Sequence, residues 1–521
     1  MEAHVYPEGC TFNSLEDIKD KKIVVMGLGL NGGGQACVKF FLKHGAFVIA
    51  TDMKKTEELK PTIDAITQDK SIDHSHLMYV LGEHRIDDFE DADCVIKNPG
   101  VKFQGNKFLE AAKAIESDLS IFLKFTKAPV IAVTGSKGKS STASAIYHGL
   151  QQCGFKCFLG GNITVSPLTF LEETNENTPV VLELSSWQLA DLRGRKLLKP
   201  KISVITKIVP DHQNWYGEMD AYVKDKELIF ADQDASDYCI LDFDEDKYQS
   251  ETKEADPAFK CWGDLFASKT KAKVFRYSKN PLSENVDGVF QKADEDGNVC
   301  GYVQVAGKTE KIMGQLQVPG DHMKTNVLNA ALCLYLMKIP GEKIVTAMAT
   351  WKGIPHRLER FHEWQGQGDG RKVIFFNDSA STVPEAAAAA SQSFGQSIVL
   401  ICGGTDKNLD FIPLARTLMG DSGTKYPPKE IYLLAGTGTD KLTDLLDKAK
   451  VQYNGPFDSL DVLLKILKSN LQGANAAKLY GEKSLGDLPL VFSPGATSFG
   501  MFQNEFDRGD KFKAKVKEIF S

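Results

Sequence analysis

Short apolar runs closed by glycine, asparagine or aspartate alternate along the chain with segments whose apolar positions return at helical spacing. Lys22 to Met26 reads as a strand ending in Gly27-Leu28-Gly29-Leu30-Asn31-Gly32. A helix, a second strand from Phe47 to Thr51, and Asp52 follow. Cys94 to Lys97 is another strand, closed by the turn Asn98-Pro99-Gly100. Val130 to Val133 runs into Thr134-Gly135-Ser136-Lys137-Gly138-Lys139-Ser140. Beyond it Ala145, Ile146, Gly149 and Leu150 share a helical face before Gly154 stops the pattern. Val180 to Leu184 and Ile202 to Ile208 read as strands, and Ala221 to Asp232 is amphipathic. From residue 353 onward, strands at Lys372 to Phe376, Ser397 to Cys402, Glu430 to Leu434 and Leu490 to Ser493 alternate with helical segments. Such alternation predicts an α/β protein that ends in a doubly wound parallel sheet.

A chain of 521 residues exceeds one core, and at roughly 150 residues per domain it predicts three domains. The patterns place them at residues 1–118, 119–352 and 353–521. Asp242 to Lys273, rich in lysine and carrying Asp244-Glu245-Asp246, reads as a solvated insertion without chemistry.

Composition removes several function classes. With 42% hydrophobic and 25% charged residues the chain reads as soluble and globular, and a net charge of -7 argues against nucleic acid as a partner. The ten cysteines are scattered, and Cys153 and Cys157 have neither zinc-knuckle nor thioredoxin spacing, so reduced thiols in a cytoplasmic protein are expected. Met1 to Asn13 lacks a basic-then-apolar signal and no apolar run reaches ~18 residues, so neither secretion nor membrane insertion is expected.

The clearest chemistry lies in the Thr134–Ser140 turn. A glycine turn between strand and helix aims amide N–H groups and the positive end of the helix dipole at one spot. Lys139 adds a full charge, and the Ser140 hydroxyl is suited to a magnesium ion shared with phosphates. The Gly-x2-Gly-Lys-Ser spacing is two residues tighter than the usual Gly-x4-Gly-Lys-Ser loop. The first glycine turn has dinucleotide-fingerprint spacing, with Asp52 twenty residues past Gly32 where a ribose hydroxyl would lie. Alone it points to a nicotinamide enzyme. Asn98-Pro99-Gly100 either closes over the same ligand or only turns the chain. Ligands of open parallel sheets sit beyond the carboxyl ends of the strands. In the C-terminal region those ends carry Asn377-Asp378-Ser379 with Thr382, Gly403-Gly404-Thr405-Asp406-Lys407, Gly436-Thr437-Gly438 and Pro494 to Ser498, an edge suited to a second charged small molecule.

The ordered set runs from the first glycine turn through the phosphate turn, Gly160-Gly161-Asn162-Ile163, Glu183 to Leu189, Asp211-His212, Gly320-Asp321-His322 and Asn326. It continues with Pro355 to Glu359, Asn377-Asp378-Ser379, Asp406-Lys407 and Ser493 to Gly509. In that order the motifs resemble the Mur ligases, ATP-dependent synthetases of peptidoglycan precursors, and among them the branch that adds D-glutamate.

The resemblance implies a Rossmann-like first domain that holds the uridine diphosphate of UDP-N-acetylmuramoyl-L-alanine rather than NAD. A central P-loop ATPase-type domain and a Rossmann-like C-terminal domain would follow. It implies that a substrate carboxylate attacks the γ-phosphate of ATP to give an acyl phosphate and ADP. The amine of D-glutamate then displaces phosphate, a cytoplasmic step of cell-wall biogenesis on which cell shape and division depend. No enzyme nucleophile takes part, so the protein's task is to align and neutralise anions. The implied phosphate cradle is Gly135, Ser136, Lys137, Gly138, Lys139, Ser140 and Ser141, with Asn326, Arg357 and Asp378 for the adenine, phosphates and ribose. Leu30, Asn31 and Asp52 would contact UDP, Asn162 the muramoyl-alanine end, and Thr382, Lys407 and Ser498 the carboxylates of D-glutamate. Ser140, Glu183, His212 and a carbamylated Lys226 would hold Mg2+, and Lys139, His212 and Lys226 form the implied catalytic set. Lys226 stands fourteen residues past His212; without the resemblance it reads as one lysine beside Lys224 on a wet helix face.

Three positions depart from the family pattern. Met323 stands where Asn follows the His, Ala380 replaces a Lys after Asn-Asp-Ser, and Glu505-Phe506 reverses the usual order. Other Mur-type or folylpolyglutamate-type ligases are the nearest alternatives. An NAD-dependent oxidoreductase resting on Gly27, Gly29, Gly32 and Asp52, and a non-catalytic nucleotide-binding regulator, are the remaining ones.

Overall fold

The computed structural model describes residues 12–521 apart from 164, 254, 366–371, 422 and 473–485, so nearly all of Met1 to Asn13, and the targeting reading made on it, lies outside the described residues. The chain divides into two compact units, Met1–Gln315 with Thr325–Met348 and Leu316–Lys324 with Ala349–Ser521.

The first unit holds two sheets. In the smaller, β1 (Lys22–Met26), β2 (Phe47–Asp52), β3 (Leu77–Leu81), β4 (Cys94–Lys97) and β5 (Ile115–Glu116) pair in parallel in the order β3-β2-β1-β4-β5. Strand β1 shows why its sequence is apolar throughout: Ile23 and Val25 enter one core cluster while Val24 and Met26 enter the cluster on the opposite face. Because β2 and β4 flank β1 on opposite sides, the strand order reverses at its end, which is where Gly27–Gly32 lies.

The larger sheet contains β6 (Val130–Thr134), β7 (Phe158–Gly161), β8 (Val180–Glu183), β9 (Ile202–Ile205), β10 (Tyr238–Asp242), β11 (Lys273–Ser278), β12 (Gly288–Ala293), β13 (Val299–Val305) and β14 (Lys308–Met313), ordered β14-β13-β12-β11-β10-β9-β6-β8-β7. It is parallel from β7 to β12, and then two antiparallel pairings through β13 and β14 finish the edge. The stretch Asp242–Lys273 is not a solvated insertion. It folds into helices Tyr248–Glu251 and Trp262–Lys269, burying Tyr248, Cys261, Trp262 and Phe266. A Cβ on Gly263 would meet the Asp242 carbonyl oxygen at 1.9 Å, so only glycine lets this helix approach the end of β10. Its lysines are exposed while a few large apolar residues do the packing.

The second unit is one sheet, β15 (Glu359–Gln365), β16 (Lys372–Asn377), β17 (Val399–Cys402), β18 (Glu430–Leu434), β19 (Asn454–Phe457) and β20 (Leu488–Phe492), in the order β15-β16-β20-β17-β18-β19. All pairings are parallel except the edge strand β15 on β16. Core clusters on both faces make it doubly wound, as the alternation predicts.

Candidate functional site

The phosphate turn leaves β6 at Thr134, the central region of the larger sheet, and enters the helix Lys139–Gln152. Gly138 caps that helix in the left-handed region at φ 94, and a Cβ there would lie 2.5 Å from Asn326 Oδ1. The helix thus begins at Lys139, inside the phosphate motif itself. The turn is anchored from behind: the amides of Ser136 and Lys137 donate to the Lys207 carbonyl at 3.0 and 3.2 Å. Ser136 Oγ donates to the Val209 carbonyl and accepts from Tyr222 Oη at 3.1 Å. Ser140 and Ser141, half-buried, stand in the first helical turn, where amides have no intrahelical acceptor.

Two lysines converge on one carbonyl. Lys139 Nζ donates to the Gly135 oxygen at 2.9 Å, and Lys226 Nζ donates to the same oxygen at 2.8 Å. Lys226, on the helix Met219–Glu227, is 1% exposed, whereas Lys224 faces solvent, so the wet-face reading of Lys226 is overturned. Burial, and then the charge of Lys139, pulls the Lys226 ammonium well below the usual lysine range. Its Nζ also lies 4.5 Å from the Tyr222 ring centroid.

Glu183 ends β8 and is 1% exposed. Its Oε1 accepts from Asn162 Nδ2 at 2.9 Å, while its Oε2 has no hydrogen-bond partner among the described residues. His212 takes a left-handed φ of 52 and packs its ring 5.0 Å from that of Trp187. Burial opposes ionisation of the adjacent Asp211, but the hydrogen bond and charge of Lys137, 3.1 Å away, outweigh it and hold the carboxyl below its usual range. Among the described residues no three His, Cys, Asp or Glu side chains gather as a metal site.

Asn329 was missed by the motif reading. It lies three residues past Asn326 on the helix Asp321–Leu336, is 1% exposed, and neither of its amide atoms has a hydrogen-bond partner among the described residues. The signal available was a second asparagine at helical spacing inside an otherwise apolar run. Met323 is buried on the same helix.

At the first glycine turn, Asp52 accepts from the amide of Gly29 within the turn and from that of Lys54 just past β2, each at 2.9 Å. Leu30 and Asn31 are exposed at its tip. Asn98 does close on this turn, since a Cβ on Gly27 would lie 2.9 Å from Asn98 Cβ. The close approach of helix to strand is made by Gly34, whose Cβ would lie 2.3 Å from the Leu28 carbonyl oxygen.

In the second unit three loops are tied at the carboxyl edge. Gly495 N donates to Ser381 O at 3.0 Å, Gly403 N to Pro494 O at 2.8 Å, and Thr405 and Thr497 bond reciprocally through their backbones. These bonds gather the loops bearing Thr382, Lys407 and Ser498. Gly438 N donates to Gly404 O at 2.9 Å, adding the Gly436-Thr437-Gly438 turn. Lys407 is exposed, while neighbouring Asp406 is occupied by Lys441 at 2.5 Å. Asp378 accepts from Ser493 Oγ at 2.6 Å and from Leu358 N at 3.1 Å, and burial pushes its carboxyl up to about 7. Arg357 is exposed beside it. Ala380 N donates to His356 O, and Glu505 stands in the first turn of the helix Glu505–Ile519, whose cap is the Asn504 side chain.

Family models for the Mur ligase middle domain and for the N-terminal domain of MurD-like Mur ligases match residues 133–334 and 21–118. The chain is 37% identical to UDP-N-acetylmuramoylalanine--D-glutamate ligase of Treponema pallidum (strain Nichols), with 96% of this chain and 98% of that protein covered. The enzyme of the same name from Borreliella afzelii (strain PKo) is 38% identical, covering 96% and 99%. Among solved structures, the MurF ligase of Thermotoga maritima in complex with ADP superposes with a TM-score of 0.50 at 15% identity, covering 97% of each chain, a likeness of fold.

Proposed function

This chain belongs to the Mur ligase family, and from that premise we propose which of its residues carry the reaction. It is an ATP-dependent ligase that adds D-glutamate to UDP-N-acetylmuramoyl-L-alanine in peptidoglycan precursor synthesis. The nicotinamide alternative falls with that assignment. Residues 1–118, 119–352 and 353–521 serve as UDP-substrate, ATP and amino-acid domains, and both family models lie inside the first two. Both substrates are small molecules, and the work is done in the cytoplasm without nucleic acid or membrane. Among the described residues no helix is long and apolar enough to cross a membrane.

The observation that carries the reading is the convergence of Lys139 and Lys226 on the Gly135 carbonyl. Lys139 brings a full positive charge to the turn, and Lys226 beside it brings the amine that becomes the carbamate. Lys139, with the first-turn amides of Ser140 and Ser141, holds the phosphates of ATP while the L-alanyl carboxylate attacks the γ-phosphorus and ADP leaves. The amine of D-glutamate then attacks the acyl carbon, phosphate departs, and the amide forms. Asn326, Arg357 and Asp378 are assigned to the adenine, phosphates and ribose of ATP, and Asn162 to the muramoyl-alanine end. Leu30 and Asn31 contact UDP, with Asp52 holding their turn.

Magnesium fits the residues present: the buried Oε2 of Glu183, without a hydrogen-bond partner among the described residues, is an anionic oxygen in need of a cation. Ser140, Glu183, His212 and carbamylated Lys226 would hold it, and it would supply charge screening for the phosphates. Burial disfavours the Lys226 ammonium and so favours the neutral amine, the form that adds CO2, forming one N–C bond and releasing one proton to give an anionic carbamate. Protein equilibrated with 13C-bicarbonate should show a carbamate carbon signal that is lost in Lys226→Ala. Lys139→Met should lower product formation by at least ~100-fold. A carbamate signal unchanged in Lys226→Ala would sink the assignment.

A further inference from the structure

Arg508, on the helix Glu505–Ile519, is a large buried cation that the reaction described above does not use: it is 1% exposed. Its Nε donates to Ser379 Oγ at 3.0 Å, its Nη2 to Ser379 O at 2.8 Å and its Nη1 to Ala496 O at 3.0 Å. Every one of these acceptors is neutral, and among the described residues no Asp or Glu forms an ion pair with it. Burial pulls the guanidinium down to about 10, so it is still charged at neutral pH, and Glu505 in the same helix offsets only part of that cost. Folding gains little from a buried charge left without a counter-ion.

Its three bonds span the loops of the amino-acid edge. Ser379 begins the turn that leads to Thr382, and Ala496 lies two residues before Ser498. A Cβ on Gly404, three residues before Lys407, would stand 3.9 Å from Arg508 Nη1. The uncompensated charge therefore lies beneath the loops whose side chains receive carboxylates.

We propose that Arg508 is a positioning residue of the D-glutamate site, locking the Ser379 and Ala496 loops together and lending positive charge to a pocket that takes a dicarboxylate. The inference rests on the assignment of Thr382, Lys407 and Ser498 to D-glutamate. A dianion supplies the counter-charge that the folded protein lacks.

The test compares Arg508→Gln, which keeps neutral donors, with Arg508→Lys, which keeps the charge, and uses Lys407→Met and Ser498→Ala as references. The readouts are KM for D-glutamate, ATP and UDP-N-acetylmuramoyl-L-alanine, Tm, and inhibition by D-glutamine, which carries one carboxylate. Arg508→Gln should raise KM for D-glutamate roughly 10- to 100-fold, the range for losing a charge-assisted interaction. KM for the UDP substrate should stay within about twofold, D-glutamine inhibition should change far less, and Arg508→Lys should recover much of the loss. An unchanged KM for D-glutamate, or equal losses for D-glutamate and D-glutamine in the folded variant, would overturn the proposal. If Arg508→Gln does not fold, Arg508→Lys decides: a rise in KM confined to D-glutamate supports the role, and three KM values rising together refute it. If the references leave KM for D-glutamate unchanged, the site assignment itself fails, whatever Arg508 does.

Discussion

Replacing Asp378 with Asn should stabilise the second unit while weakening nucleotide binding, and the stabilisation should grow with pH. Burial raises the carboxyl from 3.8 to about 7, so the folded protein favours the protonated acid. The penalty for ionising it is absent below the unfolded value, accumulates as pH rises from about 4 to about 7, and is complete above that. About three pH units at about 1.4 kcal/mol each give a full cost of about 4 kcal/mol. Asn carries no charge at any pH. Its oxygen can still accept from Leu358 N, and its amide can donate to Ser493 Oγ, so the two contacts at 3.1 and 2.6 Å survive in altered form. Between pH 5 and pH 8 the stability advantage of Asp378→Asn should widen by about 2–3 kcal/mol, most of the remaining cost having been incurred below pH 5. Native-state hydrogen exchange of the β16 and β20 amides reads this unit separately from the first. The same variant should raise KM for ATP about tenfold, since a carboxylate accepts two hydroxyls where an amide accepts one. An advantage that stays flat across that pH range, or a variant less stable than the parent at pH 8, would refute the reasoning.

Three further outcomes follow from the packing. Gly138→Ala combines a left-handed φ of 94, costing ~1–2 kcal/mol, with a Cβ 2.5 Å from Asn326 Oδ1, so KM for ATP should rise about tenfold or more while KM for D-glutamate holds in steady-state kinetics. Lys97 and Asp191 form a 2.9 Å ion pair, 2% and 7% exposed, joining the ends of β4 and the helix Ser186–Asp191. Lys97→Met should cost about 3–5 kcal/mol in urea denaturation and Lys97→Met with Asp191→Leu much less, whereas equal costs would show that charge pairing is not what holds this junction. Trp262→Ala should destabilise the first unit by about 3–5 kcal/mol, a loss that a solvated insertion would not show.

The sequence was most readable where local rules act alone. Strands β1 and β4 end where their apolar runs end, because glycine and asparagine turns close them within a residue. The run from Ile202 to Ile208 misleads after Ile205, since Thr206 and Lys207 leave the sheet to brace the phosphate turn. Strands β12 to β14 were not read at all: β12 ends in two exposed residues, β13 mixes buried with half-buried positions, and β14 is polar along most of its length. The burial of Lys226 was invisible because the helix that carries it is polar overall, and only the loop packed on it removes one lysine from water. Asp52 and Gly34 show the limit of spacing as evidence. A fingerprint locates the turn, but it does not say which glycine makes the close contact or that the acid is already bonded to the Gly29 amide within the turn. Arg508 gave no local signal, because its meaning comes from loops more than a hundred residues away in sequence, together with one nearby.

The central claim is tested most directly by phosphate release from ATP by the purified protein with magnesium and UDP-N-acetylmuramoyl-L-alanine, scanning D-glutamate, L-glutamate, L-alanine, L-lysine and meso-diaminopimelate. Release that depends on D-glutamate alone, with one amide product per phosphate, is the predicted result. Release driven instead by another amino acid, or ATP bound without turnover whatever the amino acid, would contradict it.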